Sequence, residues 1–393
     1  GRKALKTNAG TSNNVAIGSH ALNSNTANNN VGIGYLALTA NTTGTLNIAV
    51  GNNALDSNTT GNYNSAVGAN ALEDNTTGHQ NTGVGYFALA NTTTGYHNTG
   101  LGVSALGDNT TGADNTGVGK SALRVNSTGS FNTAVGRSAL HTNTTASNCT
   151  AVGAHALDAN TTASNNTAVG QHALGANTTG SSNNALGQLA LYLNTTGTLN
   201  SALGNQTLYS NTTGSYNTGL GSFSLNANTT GINNTAVGYQ ALDANTTGQN
   251  NTGIGLGSLG GNTTGVDNTS LGTNSANDNT TGVHNVALGK DALHNNQTGS
   301  FNTAVGSLAM NTLGVTWGGK NTAIGYAALT NNETNNNTAV GYHSGRNNTI
   351  GTITAVGYQA LYANTTGASN TAVGYGALDA NTTANSNTAV GHN

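Results

Sequence analysis

Residues 234–248 read NTAVGYQALDANTTG, and this stretch is a nearly complete copy of a repeat that runs along the whole chain. The closing glycine of its NTAVG motif recurs every 17 residues from Gly34 to Gly306, and outside that range the steps are 16, 17 or 19 residues. The consensus is N-T-A-V-G-x-x-A-L-x-x-N-T-T-G-x-x, whose places are numbered 1 to 17. A repeat this short indicates a β-solenoid, because helical repeats need about 33 residues or more.

The composition excludes several classes of function. The 393 residues include 57 glycines, no proline and one cysteine, and only 5% are charged, against about 25% in ordinary globular proteins. Nine basic residues scattered over this length cannot form the cluster that a nucleic acid requires. Titratable side chains are too scarce to converge in a catalytic cleft. The sequence therefore predicts no enzyme, no cofactor and no nucleic-acid partner.

The chemistry of the repeat predicts its local structure. The segment N-T-A-V is extended, and N-T-T-G is a turn in which glycine can take a positive φ. Two short strands and two turns would complete one coil, and coils would stack through parallel hydrogen bonds about 4.8 Å apart. The predicted fold is all-β, a parallel β-solenoid (β-roll) of about 23 coils with a 17-residue repeat, continuous over 1–393 with an irregular coil at 307–324.

The size of the residue allowed at each place predicts which side chains lie inside. Place 4 is always Val, Ile or Leu, as at Val67 and Val169, and place 9 is nearly always Leu, as at Leu72. These two places are the predicted core. Places 3 and 8 hold small residues such as Ala49 and Ala54, which predicts an outer face that another backbone approaches closely. We therefore expect chain–chain packing, in a homotrimer or a filament.

The Asn-small-apolar-Gly motif resembles the head repeats of trimeric autotransporter adhesins and the repeat shafts of bacterial and phage tail fibres. The resemblance covers nearly the whole chain, although the adhesin heads use a shorter repeat without the NTTG turn. It implies an extracellular or cell-surface fibre or shaft with an adhesive role towards a surface glycan or protein. It brings no catalytic residue with it. The chain starts and stops in mid-repeat and has no apolar run of membrane-spanning length, which predicts a fragment of a longer protein with no membrane span in this segment.

Aromatic residues form one candidate site. Tyr326, Tyr342, Tyr358 and Tyr375 all follow the motif glycine in consecutive coils, so we expect an aromatic ladder. It is either a carbohydrate platform, together with Trp317 of the irregular coil, or a stack that only stabilises the solenoid.

Asparagine turns form a second candidate site. The N-x-[ST] sequence recurs in the NTT turns, which makes these asparagines acceptors for N-glycosylation in a source that modifies such sites. The alternative is that Asn and Thr serve the turn and side-chain ladders. The candidate acceptors are Asn41, Asn58, Asn75, Asn109, Asn160, Asn177, Asn245 and Asn364.

Three weaker patterns have simpler explanations. The segment GLGSLG at 255–260 matches a dinucleotide fingerprint but lies inside the repeat, without the required strand and helix context. His155 and His172 share a place in successive coils but lack a third metal ligand. Acidic residues favour place 10, which fits a solvated face better than a calcium site. No metal site is predicted.

A monomeric ice- or carbohydrate-binding solenoid is the alternative to a fibre. Ice binding would need threonines that alternate along one strand, whereas the paired threonines of NTT are adjacent and lie in the turn. The sequence thus favours a structural fibre that associates with itself.

Overall fold

A computed structural model describes residues 1–7, 10–312 and 318–393 of the chain. Its contacts group the chain into two compact units, Gly1–Thr198 and Leu199–Asn393. Strands and turns make up the described residues, without any helix. In particular, the described part of the chain offers no apolar helix of sufficient length to cross a membrane.

Each coil contributes one short strand, and each strand pairs in parallel with the next strand of its unit. The register is one repeat, so that Ala168 pairs with Ala151 on one side and Ala185 on the other. The predicted parallel β-solenoid is therefore confirmed. In the first unit the strands are β1 Val15–Ile17, β2 Val31–Ile33, β3 Ile48–Val50, β4 Ser65–Val67, β5 Thr82–Val84, β6 Thr99–Leu101, β7 Thr116–Val118, β8 Thr133–Val135, β9 Thr150–Val152, β10 Thr167–Val169 and β11 Asn184–Leu186. In the second unit they are β12 Ser201–Leu203, β13 Thr218–Leu220, β14 Thr235–Val237, β15 Thr252–Ile254, β16 Thr269–Leu271, β17 Val286–Leu288, β18 Thr303–Val305, β19 Thr322–Ile324, β20 Thr338–Val340, β21 Ile353–Val356, β22 Asn370–Val373 and β23 Thr388–Val390.

The second strand that we expected in each coil is replaced by turns. The Ala-Leu segment cannot be extended, because the leucine at place 9 takes a left-handed backbone, with φ 53° at Leu55 and 52° at Leu242. Hydrogen bonds between coils persist there all the same, and the Leu55 amide donates to the Ala71 carbonyl at 3.0 Å. Stacking thus continues around the coil without extended geometry.

The sequence predicted a positive φ for the glycine of NTTG, but the two consensus glycines have other roles. The glycine with positive φ is the one that closes NTAVG, such as Gly51 at 142°. The glycine of NTTG is instead required by close approach, because a Cβ on Gly61 would lie 2.2 Å from the carbonyl oxygen of Gly78 in the next coil. Each glycine therefore lets one coil sit directly on the next.

The prediction for place 4 was wrong, and that for place 9 was right. Leu72 and the small residues Ala49 and Ala54 are fully buried, whereas Val67 and Leu101 are 42% and 43% exposed. A three-residue strand turns its first and third side chains to one face and its middle one to the other, and here the middle residue faces inward. The interior is narrow, so the leucine of one coil fills the space beside place 3 of the next.

The packing explains why place 3 is small. A Cβ on Gly83 would lie 3.4 Å from Cγ of Leu72, and one on Gly100 would lie 3.1 Å from Cγ of Leu89. Only Gly, Ala or the comparably small Ser, as at the buried Ser270, fits between that leucine and the strand. The predicted small-residue outer face is therefore the inner face of the described coils, and it is no surface for a second chain.

Candidate functional site

Two columns of buried asparagine hold the coils in register. At place 12, Nδ2 of Asn58 donates to Oδ1 of Asn41 at 2.8 Å and to the carbonyl oxygen of Gly61 at 3.1 Å. At place 1, the Asn64 amide donates to Oδ1 of Asn47 at 2.9 Å, and Nδ2 of Asn64 donates to the Gly78 carbonyl at 2.8 Å. These bonds satisfy the polar groups that a thin interior would otherwise leave without water.

The eight candidate glycosylation residues belong to the place-12 column. Every one of them is fully buried: Asn41, Asn58, Asn75, Asn109, Asn160, Asn177, Asn245 and Asn364. A sugar would be attached at Nδ2, an atom that already donates inside the coil in Asn75, Asn160, Asn177, Asn245 and Asn364 as well. The folded chain leaves no room for a glycan on these atoms, and the geometry matches the alternative that these asparagines serve ladders and turns.

The outer face of the strands carries two parallel columns of side chains. Place 2 holds threonine in six consecutive strands of the first unit, from Thr82 to Thr167, and place 4 holds Val or Leu in the same strands. Both columns point outward, since the middle residue of these strands is buried. Among the larger apolar residues of place 4, Leu186 in the first unit and Leu203 in the second are more than two-fifths exposed.

The class of residue at place 4 does not settle its exposure: Val, Ile and Leu are most often buried in proteins, but much apolar surface also stays exposed in folded proteins. A usable signal was nevertheless present in the sequence. In T-A-V the middle place tolerates only Ala, Gly or Ser while its neighbours vary in size, and strict alternation along a strand then puts both neighbours on the opposite face.

The predicted tyrosine ladder exists in the second unit. Ring centroids lie 5.4 Å apart for Tyr326 and Tyr342, 5.3 Å for Tyr342 and Tyr358, and 4.8 Å for Tyr358 and Tyr375, with interplanar angles of 14°, 6° and 9°. His392 continues the stack at 4.9 Å from Tyr375. Because the rings cover each other's faces, the sides of the column present ring edges and hydroxyl groups. Trp317, the other candidate sugar contact, lies outside the described residues.

The paired histidines are held by other side chains. The rings of His155 and His172 stack with centroids 5.1 Å apart. Nδ1 of His155 lies 2.9 Å from Oδ2 of Asp158, and its Nε2 lies 2.9 Å from Nη2 of Arg137. A guanidinium only donates, so this contact makes Nε2 an acceptor and leaves the proton on Nδ1. Within the described part of the chain, no group of three or more His, Cys, Asp or Glu residues is arranged to hold a metal ion.

Two unusual polar groups are explained by burial. Burial raises the pKa of the half-buried Asp56, with smaller contributions from the negative charges of Glu73 and Asp74. Burial also raises the pKa of Cys149, which replaces asparagine at place 1 and lies with Sγ 3.3 Å from the Ala163 carbonyl. A buried thiol with a raised pKa is inert.

The GLGSLG segment has no dinucleotide-binding context. Strand β15 ends at Ile254, and Gly255 donates its amide to the Val237 carbonyl of the preceding coil at 2.8 Å. Turns rather than a helix follow it, so the segment stacks as the neighbouring copies of the repeat do.

Comparison with protein-family models gave no match, and comparison with curated proteins gave none either. The resemblance to adhesin heads and tail-fibre shafts therefore stays a prediction.

Proposed function

We propose that the chain is the shaft of an extracellular or cell-surface fibre, in which coil stacking supplies stiffness and contacts between copies supply thickness. The observation that carries this proposal is the continuity of bonding from coil to coil. Within each of the two units, backbone hydrogen bonds, the Asn58-type column and the Asn64-type column all join neighbouring coils. Such nearest-neighbour stacking makes stability a property of the array rather than of one coil.

The surface chemistry supports the same role. The side chains on the outer strand face are short, uncharged or apolar in most coils, and the chain carries few charges altogether. This composition suits a repetitive surface that meets other copies of itself better than one that recognises a charged ligand. Homotrimeric or filamentous assembly is part of the proposal, now through the outer strand face.

The shaft proposal is tested by negative-stain electron microscopy of the chain and of a variant that lacks residues 218–302. That deletion removes five whole repeats and leaves Asn217 to continue into Thr303. We expect elongated particles of uniform width, and the deletion should shorten them by about 24 Å at unchanged width. Compact particles, or a deletion that changes width rather than length, would contradict the proposal.

Adhesion to a surface glycan or protein is proposed as the added role. The stacked tyrosines offer edges and hydroxyl groups to a sugar, and only the two ends of the stack leave a ring face uncovered. A glycan array with the chain and with Tyr342→Ala tests this role. Tyr216→Ala is the matched control, because Tyr216 is also exposed but lies outside the stack. Equal binding by all three proteins would remove the tyrosine column from the proposal.

Ice binding is the second candidate, and one observation favours it. The objection that the NTT threonines are adjacent does not apply to T-x-V, because Thr133 and Val135 both point outward from one strand, about 6.7 Å apart. Six consecutive coils repeat this pattern, with Leu101 in place of the valine in one of them. Ice binding is tested by measuring thermal hysteresis, the difference between the melting and freezing temperatures of the solution. A gap between melting and freezing that Thr133→Lys abolishes and the turn variant Thr128→Lys preserves would establish ice binding.

A further inference from the structure

We propose that a second copy of this chain docks on one strip of the second unit, formed by place 4 and place 6 in the last five coils. The strip, called the Tyr–Val strip, consists of Ile324, Val340, Val356, Val373 and Val390 at place 4 and Tyr326, Tyr342, Tyr358, Tyr375 and His392 at place 6. The inference rests on the proposed function, since it names the face through which shafts associate.

The strip is apolar and accessible. Its four tyrosines are 40–51% exposed, and at place 4 Ile324 and Val373 are 40% and 36% exposed. Apolar side chains of this size are common singly on protein surfaces, but a continuous patch marks an interaction site. Five successive coils place these side chains in line, because each strand pairs with the next in register.

The area is in the range that a stable interface needs. A tyrosine has roughly 150–250 Å² to bury, so four tyrosines exposed by about two-fifths to one-half offer on the order of 350 Å². The five aliphatic side chains and the adjoining threonine column add to this. The total approaches the roughly 800 Å² per partner of a standard protein interface, and tyrosine is enriched among the residues that dominate such interfaces.

A second copy of the chain is the occupant that fits the strip. The four tyrosine rings stack on one another and are larger than the aliphatic side chains two places earlier in each coil, so we take the tyrosines as the ridge and the aliphatic column as the groove of the docking surface. A partner must match the axial spacing of about 4.8 Å in both columns, and another copy has that spacing by construction. The ridge of one copy then lies in the groove of the other, as identical side chains interlock between paired sheets in a steric zipper.

Charge favours this strip over the equivalent columns elsewhere. No Lys, Arg, Asp or Glu occurs among its ten residues, whereas Lys120, Arg137 and Lys290 occupy place 6 in other coils. Two copies that met through those coils would bring like charges together and would desolvate them. Copies related by a twofold axis would form a dimer and copies related by a threefold axis would form a trimer, and the particle mass distinguishes the two.

The test is sedimentation velocity of the full chain over a concentration series, with Ile324→Lys/Val373→Lys as the disrupting variant. The control is Thr281→Lys/Thr366→Lys, which adds the same charge at two exposed turn residues away from the strip. We expect the wild-type chain and the control to sediment as dimers or trimers. The strip variant should lose at least about tenfold in association constant.

A second variant guards against misfolding. Tyr342→Ala/Tyr358→Ala removes the ridge without adding charge, and circular dichroism melting checks that each variant keeps its fold. A wild-type chain that stays monomeric at every attainable concentration, or strip variants that associate like the control, would overturn the proposal. Elongated single-width particles in the electron microscope would then leave the shaft function standing, whereas compact particles would contradict the shaft as well.

Discussion

The inward-facing and outward-facing positions of one strand accept different side chains, although they lie in the same three-residue segment. In β10, Ala168 is fully buried between Ala151 and Ala185, while Val169, the next residue, is only partly covered and points outward. The inward position requires a small side chain, because a leucine from the neighbouring coil already fills the interior. The outer face selects for apolar character without limiting size. Restriction to one residue class is thus a weaker indication of burial than restriction to small size.

The difference between the two faces is tested most strongly by placing the same charge on each face of β10 in turn. Ala168→Asp would bury a carboxylate without a partner in a space that holds only a methyl group. We expect it to destabilise the chain by about 4 kcal/mol or more. Val169→Asp puts the carboxylate in solvent and should cost about 1 kcal/mol or less.

Thermal and urea denaturation of the two variants, followed by circular dichroism, measures the difference. Val169→Ala serves as the control for loss of the outer side chain alone. If Val169→Asp proved as damaging as Ala168→Asp, Val169 would not face solvent as it does in the structure.

The buried amide column offers a natural defect that sharpens the comparison. Thr92 occupies place 12, where the other regular coils have asparagine, and both Oγ1 of Thr92 and Oδ1 of Asn75 are buried without a hydrogen-bond partner. Thr92→Asn supplies the missing Nδ2 donor to Asn75. Since a buried unsatisfied group costs about 1–3 kcal/mol, we expect the variant to raise stability by about 1 kcal/mol.

An increase in the melting temperature of Thr92→Asn checks this expectation. Thr94→Asn is the matched control, because Thr94 lies in the same turn but outside the column and is exposed. A neutral or destabilising Thr92→Asn, with the control unchanged, would mean that the column does not contribute to the stability of the interior.

The sequence predicted the solenoid, its period and its tyrosine stack because each follows from spacing alone. A column of equivalent residues must line up once coils stack in register, and this holds for Tyr342 and Tyr358 whatever the shape of the coil. The inside–outside assignment was half wrong because it depends on the path of the chain within one coil. That path turns on the left-handed backbone of residues such as Leu55, a conformation that leucine rarely adopts and that no local pattern indicates.

The glycosylation residues illustrate the same limit. An N-x-[ST] sequence describes what an enzyme can recognise in an extended chain, whereas burial of Asn58 depends on which way the turn points its side chain. A turn motif alone does not determine that direction. The interior of this chain is as much amide as hydrocarbon, and asparagine in the repeat belongs to the core rather than to the surface.

We expect the smallest effect at Asp56 of place 10, a half-buried residue that lies between the interior and the outer surface. Burial, and then the charges of Glu73 and Asp74, raise its pKa in the folded chain above 3.8. A raised carboxyl pKa means that the folded state holds the proton more tightly than the unfolded state, so this group favours folding at low pH and opposes it once pH rises through the folded pKa. Asp56→Asn should therefore raise the melting temperature slightly at pH 7 and leave it unchanged at pH 3. Melting curves of the variant at both pH values test this, with Asp379→Asn, at the exposed Asp379 of the same place, for comparison, and a stabilisation confined to pH 3 would reverse the sign of the argument.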